Sequence, residues 1–210
     1  MTFKNIEKID PFDNTPPCFT LGTLIVTAKG ECRVEDLAVG DRVITRDNGM
    51  QKIRWIGKRD MHAAELARAS HLRPILIRQG ALGNDLPERD LTVSPNHRVL
   101  IANDKTALYF DDREVLVAAK HLTGMAGVEV SDVAETTYIH IMFDHHEVIL
   151  SDGAWTESFQ PGDESLASIG DAQKAEIFEL FPELQSPSGV GAYGAARRSL
   201  KKHEAALLTS

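Results

Sequence analysis

The sequence of this 210-residue chain predicts a mainly β protein with a helical tail at its C-terminus. Between Cys18 and Phe159 the chain is a series of short segments rich in Val, Ile, Leu and Thr, which is typical of strands. After a Gln-Pro-Gly turn, helix formers and apolar residues recur at helical spacing instead. We therefore expect an extended leader (1–17), a β-rich domain (18–159) and a helical tail (160–210) that packs on the domain.

Glycine-containing turns locate two hairpins near the start of the domain. The leader before it, "MTFKNIEKIDPFDNTPP", is polar, rich in proline and without sustained periodicity. Lys29-Gly30 separates the two arms of "TLIVTAKGECRVEDL", and Asn48-Gly49, a strong hairpin signal, separates those of "DRVITRDNGMQKIRWIG". Further strands are predicted in "RPILIRQGAL", "DLTVSPNHRVLIA", "REVLVAAKHL" and "TTYIHIMFDHHEVILSDGAW". Within the domain, residues 61–70 and 115–124 have the pattern of a short helix.

Two segments with helical periodicity predict the tail helices, "ESLASIGDAQKAEIFELFPEL" and "GAARRSLKKHEAALL". The segment between them, "QSPSGVGAYG", is predicted to be a flexible connector. In the second helical segment we expect the basic residues on the solvated face and the leucines on the buried face. The basic residues are Arg197, Arg198, Lys201 and Lys202, and the leucines are Leu200, Leu207 and Leu208.

Composition and charge restrict the classes of function. The chain is 42% hydrophobic and 26% charged, as globular proteins are, and its net charge of −8 argues against a nucleic-acid partner. No apolar run approaches the ~20 residues of a membrane span, and the N-terminus has no hydrophobic signal region. We expect a protein without a membrane span that is cytoplasmic or exported by a signal-less route. Its two cysteines, Cys18 and Cys32, are expected to be free thiols.

Cys18 occupies an unusual position for a structural cysteine, because it follows Pro16 and Pro17 and precedes a strand-like run instead of lying inside it. A second feature is "TVSPNHRVL", in which Ser94 and a proline interrupt an apolar strand and place His97 at a bend. Each feature has two interpretations. Cys18 is either a small buried hydrophobic residue or a nucleophile. His97 is either a turn residue satisfied by hydrogen bonds or a functional residue.

A third group of polar residues lies in "YIHIMFDHHEVILSDG". His140, Asp144 and His146 are weak candidate metal ligands, but His145 and His146 in a strand would point to opposite faces. The spacing is unspecific, so the sequence indicates neither a metal nor a cofactor. A His/Asp metal-binding protein remains an alternative hypothesis.

Three segments together resemble the Hint domain, the autoprocessing module shared by hedgehog C-terminal domains and inteins. These are "CFTLGTLIVTAKGECRVEDLAVGDRVIT", "SPNHRVLI" and "FDHHEVILSDGAWTESF", and the similarity is greatest to the bacterial stand-alone branch. The resemblance covers roughly Cys18 to Phe159, and "ARRSLKKHEAALL" is similar to the usual C-terminal segment of that branch. It implies a Hint-type, horseshoe-like β fold with a C-terminal helical tail.

The resemblance also implies a self-cleaving, cysteine-dependent activity in cis. The sulfur of Cys18 would attack the carbonyl of Pro17, which converts the peptide bond between them into a thioester. The leader is thus the substrate, and water or another small nucleophile of unknown identity resolves the thioester. His97 is the expected acid for the departing amine of Cys18. A hydroxyl of Ser94 or Thr92, with backbone N–H groups, is expected to stabilise the oxyanion.

One further role and two departures follow from the same resemblance. Asp60 lies in the stretch that carries the second-step base in hedgehog-type modules and is the candidate for that role, with its neighbour His62 as the alternative. Intein modules end in His-Asn, whereas "AWTESFQPG" has no Asn, so protein splicing is expected to be absent. The prolyl carbonyl of Pro17 is hindered, so attack on it should be slow. A non-catalytic interaction module that keeps the scaffold is therefore the second hypothesis.

Overall fold

The computed structural model describes residues 16–209, and for residues 163 and 164 only the backbone is described. Most of the predicted leader, residues 1–15, lies outside the described residues. The strands are β1 (Phe19–Thr20), β2 (Leu24–Thr27), β3 (Gly30–Arg33), β4 (Arg42–Thr45), β5 (Gly49–Lys52), β6 (Trp55–Met61), β7 (Ile75–Ile77), β8 (Leu91–Val93), β9 (Arg98–Ile101), β10 (Val115–Ala118), β11 (Val128–Val130), β12 (Thr136–Met142), β13 (Val148–Ser151), β14 (Ala154–Glu157) and β15 (Ser199–Leu200).

Four of the six α-helices in the described residues lie in the C-terminal tail. The α-helices are α1 (Ala63–Arg68), α2 (Asp104–Phe110), α3 (Asp163–Ser168), α4 (Asp171–Leu180), α5 (Pro187–Ala192) and α6 (Lys202–Thr209). Single 3-10 turns occur at Val34–Asp36, Ser70–Leu72, Ala119–His121 and Pro182–Gln185. The predicted class, mainly β with a helical C-terminal tail, is confirmed. No helix in the described part of the chain is long and apolar enough to cross a bilayer.

The strands form two sheets. A six-stranded sheet has the order β11-β7-β8-β1-β12-β6, and a nine-stranded sheet has the order β15-β10-β9-β14-β13-β2-β4-β5, with β3 paired to β2. Both predicted hairpins are confirmed, since β2 pairs with β3 and β4 pairs with β5. Gly30 and Gly49 have φ of +101° and +65° at the two turns, a conformation that glycine adopts without strain.

The main hydrophobic core contains buried side chains from both sheets. Phe19, Val93 and Ile139 come from the six-stranded sheet, and Ile25 and Val43 come from the nine-stranded one. Each such side chain contributes roughly 1.5–3 kcal/mol through removal of apolar surface from water. Because neighbouring residues in a strand alternate between faces, the other face of the six-stranded sheet is left for different neighbours.

The tail helices cover part of that other face through a second apolar group, which we call the tail cluster. Its members are Trp55, Met142, Phe159, Leu166, Ile169, Ile177, Phe181, Leu184 and Tyr193. The first three belong to the β-rich part of the chain, and the rest belong to the tail. The tail therefore buries apolar surface directly against strands β6 and β12.

The structure corrects the predicted details of the tail. The segment predicted to be a flexible connector contains α5, which starts at a Ser186 side chain that accepts a hydrogen bond from the Gly189 amide. Arg197 is not on a helix, because Ser199–Leu200 forms β15 beside β10. The guanidinium of Arg197 forms ion pairs, at 2.7 Å from an Asp47 oxygen and 2.8 Å from a Glu114 oxygen.

Two further sequence predictions need correction. Leu207 is 43% exposed, whereas Leu200 and Leu208 are buried as expected. The stretch 115–124 is β10 followed by the 3-10 turn Ala119–His121, so it holds no α-helix. Four consecutive buried residues, Val115 to Ala118, favour a strand packed on both faces, a pattern that periodicity alone does not distinguish from a buried helix.

Candidate active site

Strand register brings Cys18 between two polar side chains. Cys18 immediately precedes β1, which lies between β8 and β12 in the six-stranded sheet. The antiparallel pairing of Phe19 with both neighbours places Cys18 opposite Ser94 on one side and opposite His140 on the other. Opposed residues in an antiparallel pair point to the same face. The sheet thus assembles three polar residues from distant parts of the sequence around one peptide bond.

Ser94 holds the backbone on both sides of the Pro17–Cys18 bond. Its hydroxyl accepts a hydrogen bond from the Cys18 amide at 3.0 Å and donates one to the Pro16 carbonyl at 3.0 Å. Its own amide donates to the Cys18 carbonyl at 3.0 Å. Ser94 is fully buried, so these hydrogen bonds are shielded from competing water. The sequence leads us to expect a hydroxyl of Ser94 or Thr92 near the oxyanion that would form on Pro17, and in the structure the Ser94 hydroxyl lies on the Pro16 oxygen.

The Pro17 oxygen is bound by His140 instead. Nδ1 of His140 lies 2.9 Å from this oxygen, and Nε2 lies 3.8 Å from the Cys18 sulfur. A carbonyl oxygen only accepts hydrogen bonds, so Nδ1 carries the proton. In the neutral ring Nε2 then has a free lone pair that faces the thiol. One imidazole therefore lies against both the Pro17 carbonyl oxygen and the Cys18 sulfur.

Burial keeps this imidazole neutral. It lowers the pKa of His140 from 6.5 to about 4, and the contact with the Pro17 oxygen only partly opposes that effect. The sequence interpretation assigned His140 to a weak metal site and missed this role. A polar ring inside the apolar strand "TTYIHIM" must find a hydrogen-bond partner, and that requirement was the available signal.

The Cys18 thiol is also neutral in this arrangement. Its sulfur lies 2.9 Å from the Pro16 carbonyl oxygen, to which the S–H donates. Burial raises the pKa of Cys18 strongly, while the Ser94 hydrogen bond and the Arg59 guanidinium oppose the rise. The thiolate is the reactive form of cysteine, so reaction requires transfer of this proton to a nearby base.

His97 lies beside the Cys18 backbone on the opposite side of β1 from the thiol. It follows the turn at residues 95–96, as predicted, and its ring packs edge-on against Phe19 with centroids 4.5 Å apart. Neither ring nitrogen has a hydrogen-bond partner among the described residues. Burial lowers the pKa of His97 to about 4, and the Glu157 carboxylate and the Cys18 backbone partly oppose this. Buried, unpartnered polar atoms are rare, which marks this ring as unusual.

Thr92 and Asp60 are not brought to the thiol. Thr92 lies two residues before Ser94, where its carbonyl accepts a hydrogen bond from the Thr20 hydroxyl. Asp60 is exposed and accepts a hydrogen bond from the Thr137 hydroxyl at 2.7 Å. Alternation along β6 turns Asp60 away from the face that carries Cys18. Asp60 and His62 line a separate open pocket with Thr137.

The candidate metal ligands have separate partners. Asp144 pairs with Arg54, and His146 accepts a hydrogen bond from the Ala196 amide through Nδ1. Nε2 of His146 lies 3.2 Å from a Glu157 oxygen. In the described part of the chain, no three His, Cys, Asp or Glu side chains are grouped so as to hold a metal ion. The metal-binding hypothesis therefore has no structural support.

The thiol lies in a narrow pocket built from the β-rich part and the tail together. Its walls are Pro16, Cys18, Arg59, Met61, Tyr138 and His140 on one side and Ser168, Ile169 and Gln173 on the other. Cys32, the second free thiol, lies on β3 in the other sheet. Cys18 and His140 are only 1% and 2% exposed, so the thiol and the imidazole are largely screened from water.

Comparison with known proteins supplies the context for this site. A family model described as the Hint domain matches residues 17–163, which include Cys18, Ser94, His97 and His140. A bacterial intein-like domain from Clostridium thermocellum is similar in structure, with 16% identity, a TM-score of 0.45, and coverage of 67% of this chain and 97% of that domain. The TvoVMA intein has 11% identity, a TM-score of 0.45, and coverages of 68% and 97%.

A DnaB intein from Synechocystis is a further structural match, with 10% identity, a TM-score of 0.40, and coverage of 68% of this chain and 98% of the intein. Among curated proteins, none is significantly similar in sequence to this chain.

Proposed function

The chain belongs to the Hint domain family, whose members carry out autoprocessing, and from that membership we propose that it cleaves its own Pro17–Cys18 bond by an N–S acyl shift. The observation that carries the proposal is the position of one buried imidazole. His140 lies 2.9 Å from the Pro17 oxygen and 3.8 Å from the Cys18 sulfur. The substrate is the leader in cis (1–17), the reacting unit is the domain 18–159, and the tail (160–210) packs on it. Protein splicing is not part of the proposal.

In the first step, the S–H of Cys18 turns from the Pro16 oxygen toward His140, and its proton passes to Nε2. The sulfur bonds to the Pro17 carbonyl carbon, and the carbonyl π electrons move onto the Pro17 oxygen. Nδ1–H of the same ring donates to that developing negative charge. Loss of the thiol proton and gain of the oxyanion thus occur on the two sides of one ring, which becomes an imidazolium and stabilises the oxyanion.

In the second step, the carbon–nitrogen bond breaks, and its electron pair goes to the Cys18 nitrogen, which needs a proton. We assign this proton to His97, which lies beside the Cys18 backbone on the side away from the sulfur. Because the pKa of His97 is about 4, only a small fraction of the ring carries a proton at neutral pH. The nearby Glu157 carboxylate favours that charged form. The amine leaves, and the leader is held as a thioester on Cys18.

In the last step, water or another nucleophile bonds to the thioester carbonyl carbon and gives up a proton to the solvent, from which His97 regains the proton it donated, and the carbon–sulfur bond breaks to release the leader. The sulfur leaves as a thiolate and takes back the proton held on His140. The free amine and free thiol of Cys18 remain on the domain. Covalent catalysis of this kind divides one difficult bond cleavage into two easier steps.

The proposal is tested by following the mass of the purified full-length chain in dithiothreitol. We expect a product that begins at Cys18, formed with first-order kinetics independent of protein concentration. The Cys18→Ala chain should stay intact, and a Cys32→Ala chain should cleave as the unmodified chain does. An unmodified chain that remains whole after prolonged incubation between pH 5 and pH 8 would overturn the proposal.

A non-catalytic interaction module is the second candidate, and two observations favour it. Pro17 presents a hindered carbonyl, and burial keeps the Cys18 thiol in its unreactive neutral form. This candidate predicts no mass change in the unmodified chain. It also predicts that Cys18→Ala folds and retains any partner as the unmodified chain does.

A further inference from the structure

Gly57 leaves a gap in the sheet face that carries the thiol site. It pairs with His140 across β6 and β12, so its missing side chain would point to the same face as the imidazole. A Cβ at this position would lie 2.2 Å from Cη2 of Trp55 and 3.1 Å from Nε2 of Gln173. Contacts that short are not tolerated, so a side chain here would displace the indole. Glycine at position 57 therefore allows Trp55 to lie along the sheet beside His140.

The Trp55 indole packs against the imidazole that contacts the scissile carbonyl. The two rings are nearly parallel, at 16°, with centroids 6.1 Å apart. Phe159 packs edge-on against the same imidazole at 5.5 Å and contacts Trp55 at 5.7 Å. Aromatic contacts of this geometry restrict the orientation of the rings. The orientation of His140 toward the Pro17 oxygen is therefore supported by aromatic packing on its far side.

Helix α4 of the tail holds the indole of Trp55 in place through a hydrogen bond and apolar contacts. The Nε1–H of Trp55 donates to a carboxylate oxygen of Glu176 at 3.0 Å. Gln173, one turn earlier on α4, donates to the carbonyl of Lys58 at 3.0 Å. Ile169 and Ile177 are buried in the tail cluster with Trp55. The tail thus contacts the same indole that supports the catalytic ring.

We propose that the tail is a working part of the autoprocessing site, because α4 positions the His140 ring through Trp55. Trp55, Gly57 and Glu176 act as positioning residues, since they reach the reaction only through that imidazole. The inference rests on the proposed function for the catalytic role of His140. However, the inference also states that the tail fixes the orientation of the His140 ring and keeps water away from it, and this can be measured without any cleavage.

The first test measures the pKa of His140 by NMR in the uncleavable Cys18→Ala full chain. Among charged and titratable groups, Arg59 and His97 interact electrostatically with the ring. Tyr138 lines the same pocket, and Glu176 on α4 binds the indole beside the ring. In Gly57→Ala the displaced indole admits water, so we expect the pKa of His140 to rise from about 4 toward 6.5 by roughly one pH unit or more.

Variants of α4 distinguish an effect of the hydrogen bond to the indole from an effect of the Glu176 charge. Glu176→Ala removes the acceptor for the indole N–H, and we expect a smaller rise in the pKa of His140. Glu176→Gln removes the same charge but keeps an oxygen acceptor, so it should leave the pKa near that of the parent. Glu179→Ala removes an exposed carboxylate from the same helix, for which the described residues show no partner, and it serves as the matched control.

The second test repeats the series with Cys18 intact and measures the first-order cleavage rate. We expect a fall of about tenfold or more for Gly57→Ala, a smaller fall for Glu176→Ala, and no change beyond twofold for Glu176→Gln and Glu179→Ala. If the unmodified chain does not cleave, the proposed function fails and the titration still decides the inference. If Gly57→Ala does not fold, Glu176→Ala decides it. An unchanged pKa of His140 in the folded variants overturns the inference.

Discussion

The imidazole of His140 binds the carbonyl oxygen of Pro17 through Nδ1 while its other nitrogen faces the sulfur of Cys18. This relationship joins residues more than a hundred positions apart in the sequence. It follows from the β1–β12 register, and it supports the proposed cleavage because one ring can take the thiol proton and polarise the carbonyl.

Replacing His140 should remove both effects. We expect His140→Ala to cleave roughly 10² to 10⁴ times more slowly than the unmodified chain, because proton transfer from the thiol and stabilisation of the oxyanion are lost together. The measurement is the rate of product formation by mass spectrometry in dithiothreitol. His145→Ala, an exposed histidine five residues later, is the control and should cleave normally. Equal rates in the two variants would exclude His140 from the chemistry.

Ser94 should matter for both stability and rate. In Ser94→Ala the buried Cys18 amide loses its partner, which costs about 1–3 kcal/mol, while the Pro16 carbonyl keeps only the Cys18 S–H. We expect a lower free energy of unfolding in urea and slower cleavage. Ser94→Thr keeps the hydroxyl and should retain most of both properties. A Ser94→Ala chain as stable and active as the parent would show that these hydrogen bonds are unimportant.

The position of Asp60, on the face of the sheet away from the thiol, predicts that this residue takes no part in the reaction. Because it points away from the thiol face and binds Thr137, Asp60→Asn should change the cleavage rate by less than about twofold, well under the range expected for a general base. The rate is followed in buffer without added thiol, because dithiothreitol would itself release the thioester, and the thioester is sought by mass as an intermediate. Slow release with accumulation of thioester in this variant would restore Asp60 as the second-step base.

The neutral state of His140 predicts a dependence of stability on acid. Its pKa is about 4 in the folded chain and near 6.5 when unfolded, so the unfolded chain binds the proton first as the pH falls. Stability from this group is complete above pH 6.5 and is lost between pH 6.5 and pH 4, by roughly 3 kcal/mol in all. Urea unfolding of Cys18→Ala should show this loss.

The matched variant isolates that contribution. In the double variant Cys18→Ala, His140→Gln, the free energy of unfolding should fall less between pH 6.5 and pH 4, by the roughly 3 kcal/mol attributed to His140. Asp152, whose pKa is raised to about 6 by burial, shifts stability in the opposite direction, but it does so equally in both chains. Parallel stability curves for the two chains between pH 7 and pH 4 would contradict a buried neutral imidazole at position 140.

Pro17 should limit the rate of the unmodified chain. Its ring restricts the backbone and hinders approach to the carbonyl, so Pro17→Ala should cleave roughly tenfold faster or more, which corresponds to a barrier lower by about 1.4 kcal/mol. Mass spectrometry over time gives the ratio of rates. A Pro16→Ala chain is the control for loss of a proline elsewhere in the leader. Slower cleavage in Pro17→Ala than in Pro16→Ala would mean that proline at position 17 assists the reaction.

Local patterns predicted the parts of this molecule that depend on neighbouring residues. Asn48-Gly49 located a hairpin, and Ser94 with His97 marked a bend, because turn chemistry is set within a few residues. The role of His140 could not be predicted in this way. It depends on which strands lie beside β1 and in what register, and these are properties of the whole sheet.

The same reason explains where the structure differs from the sequence-based expectations. Asp60 is near the expected stretch in sequence, but strand alternation turns it to the other face. The tail was predicted as helices, yet Ser199–Leu200 pairs with β10, because a free strand edge was available there. The contact between Trp55 and Glu176 joins a strand and a distant helix, and no local pattern encodes it.

The most direct measurement treats the full chain with hydroxylamine and determines the masses of both fragments. If a thioester forms on Cys18, the leader fragment ends at Pro17 as a hydroxamate, and the other fragment begins with an unmodified Cys18. Release of a leader with an ordinary carboxylate in the same proportion with and without hydroxylamine, or persistence of the intact chain, would contradict the account.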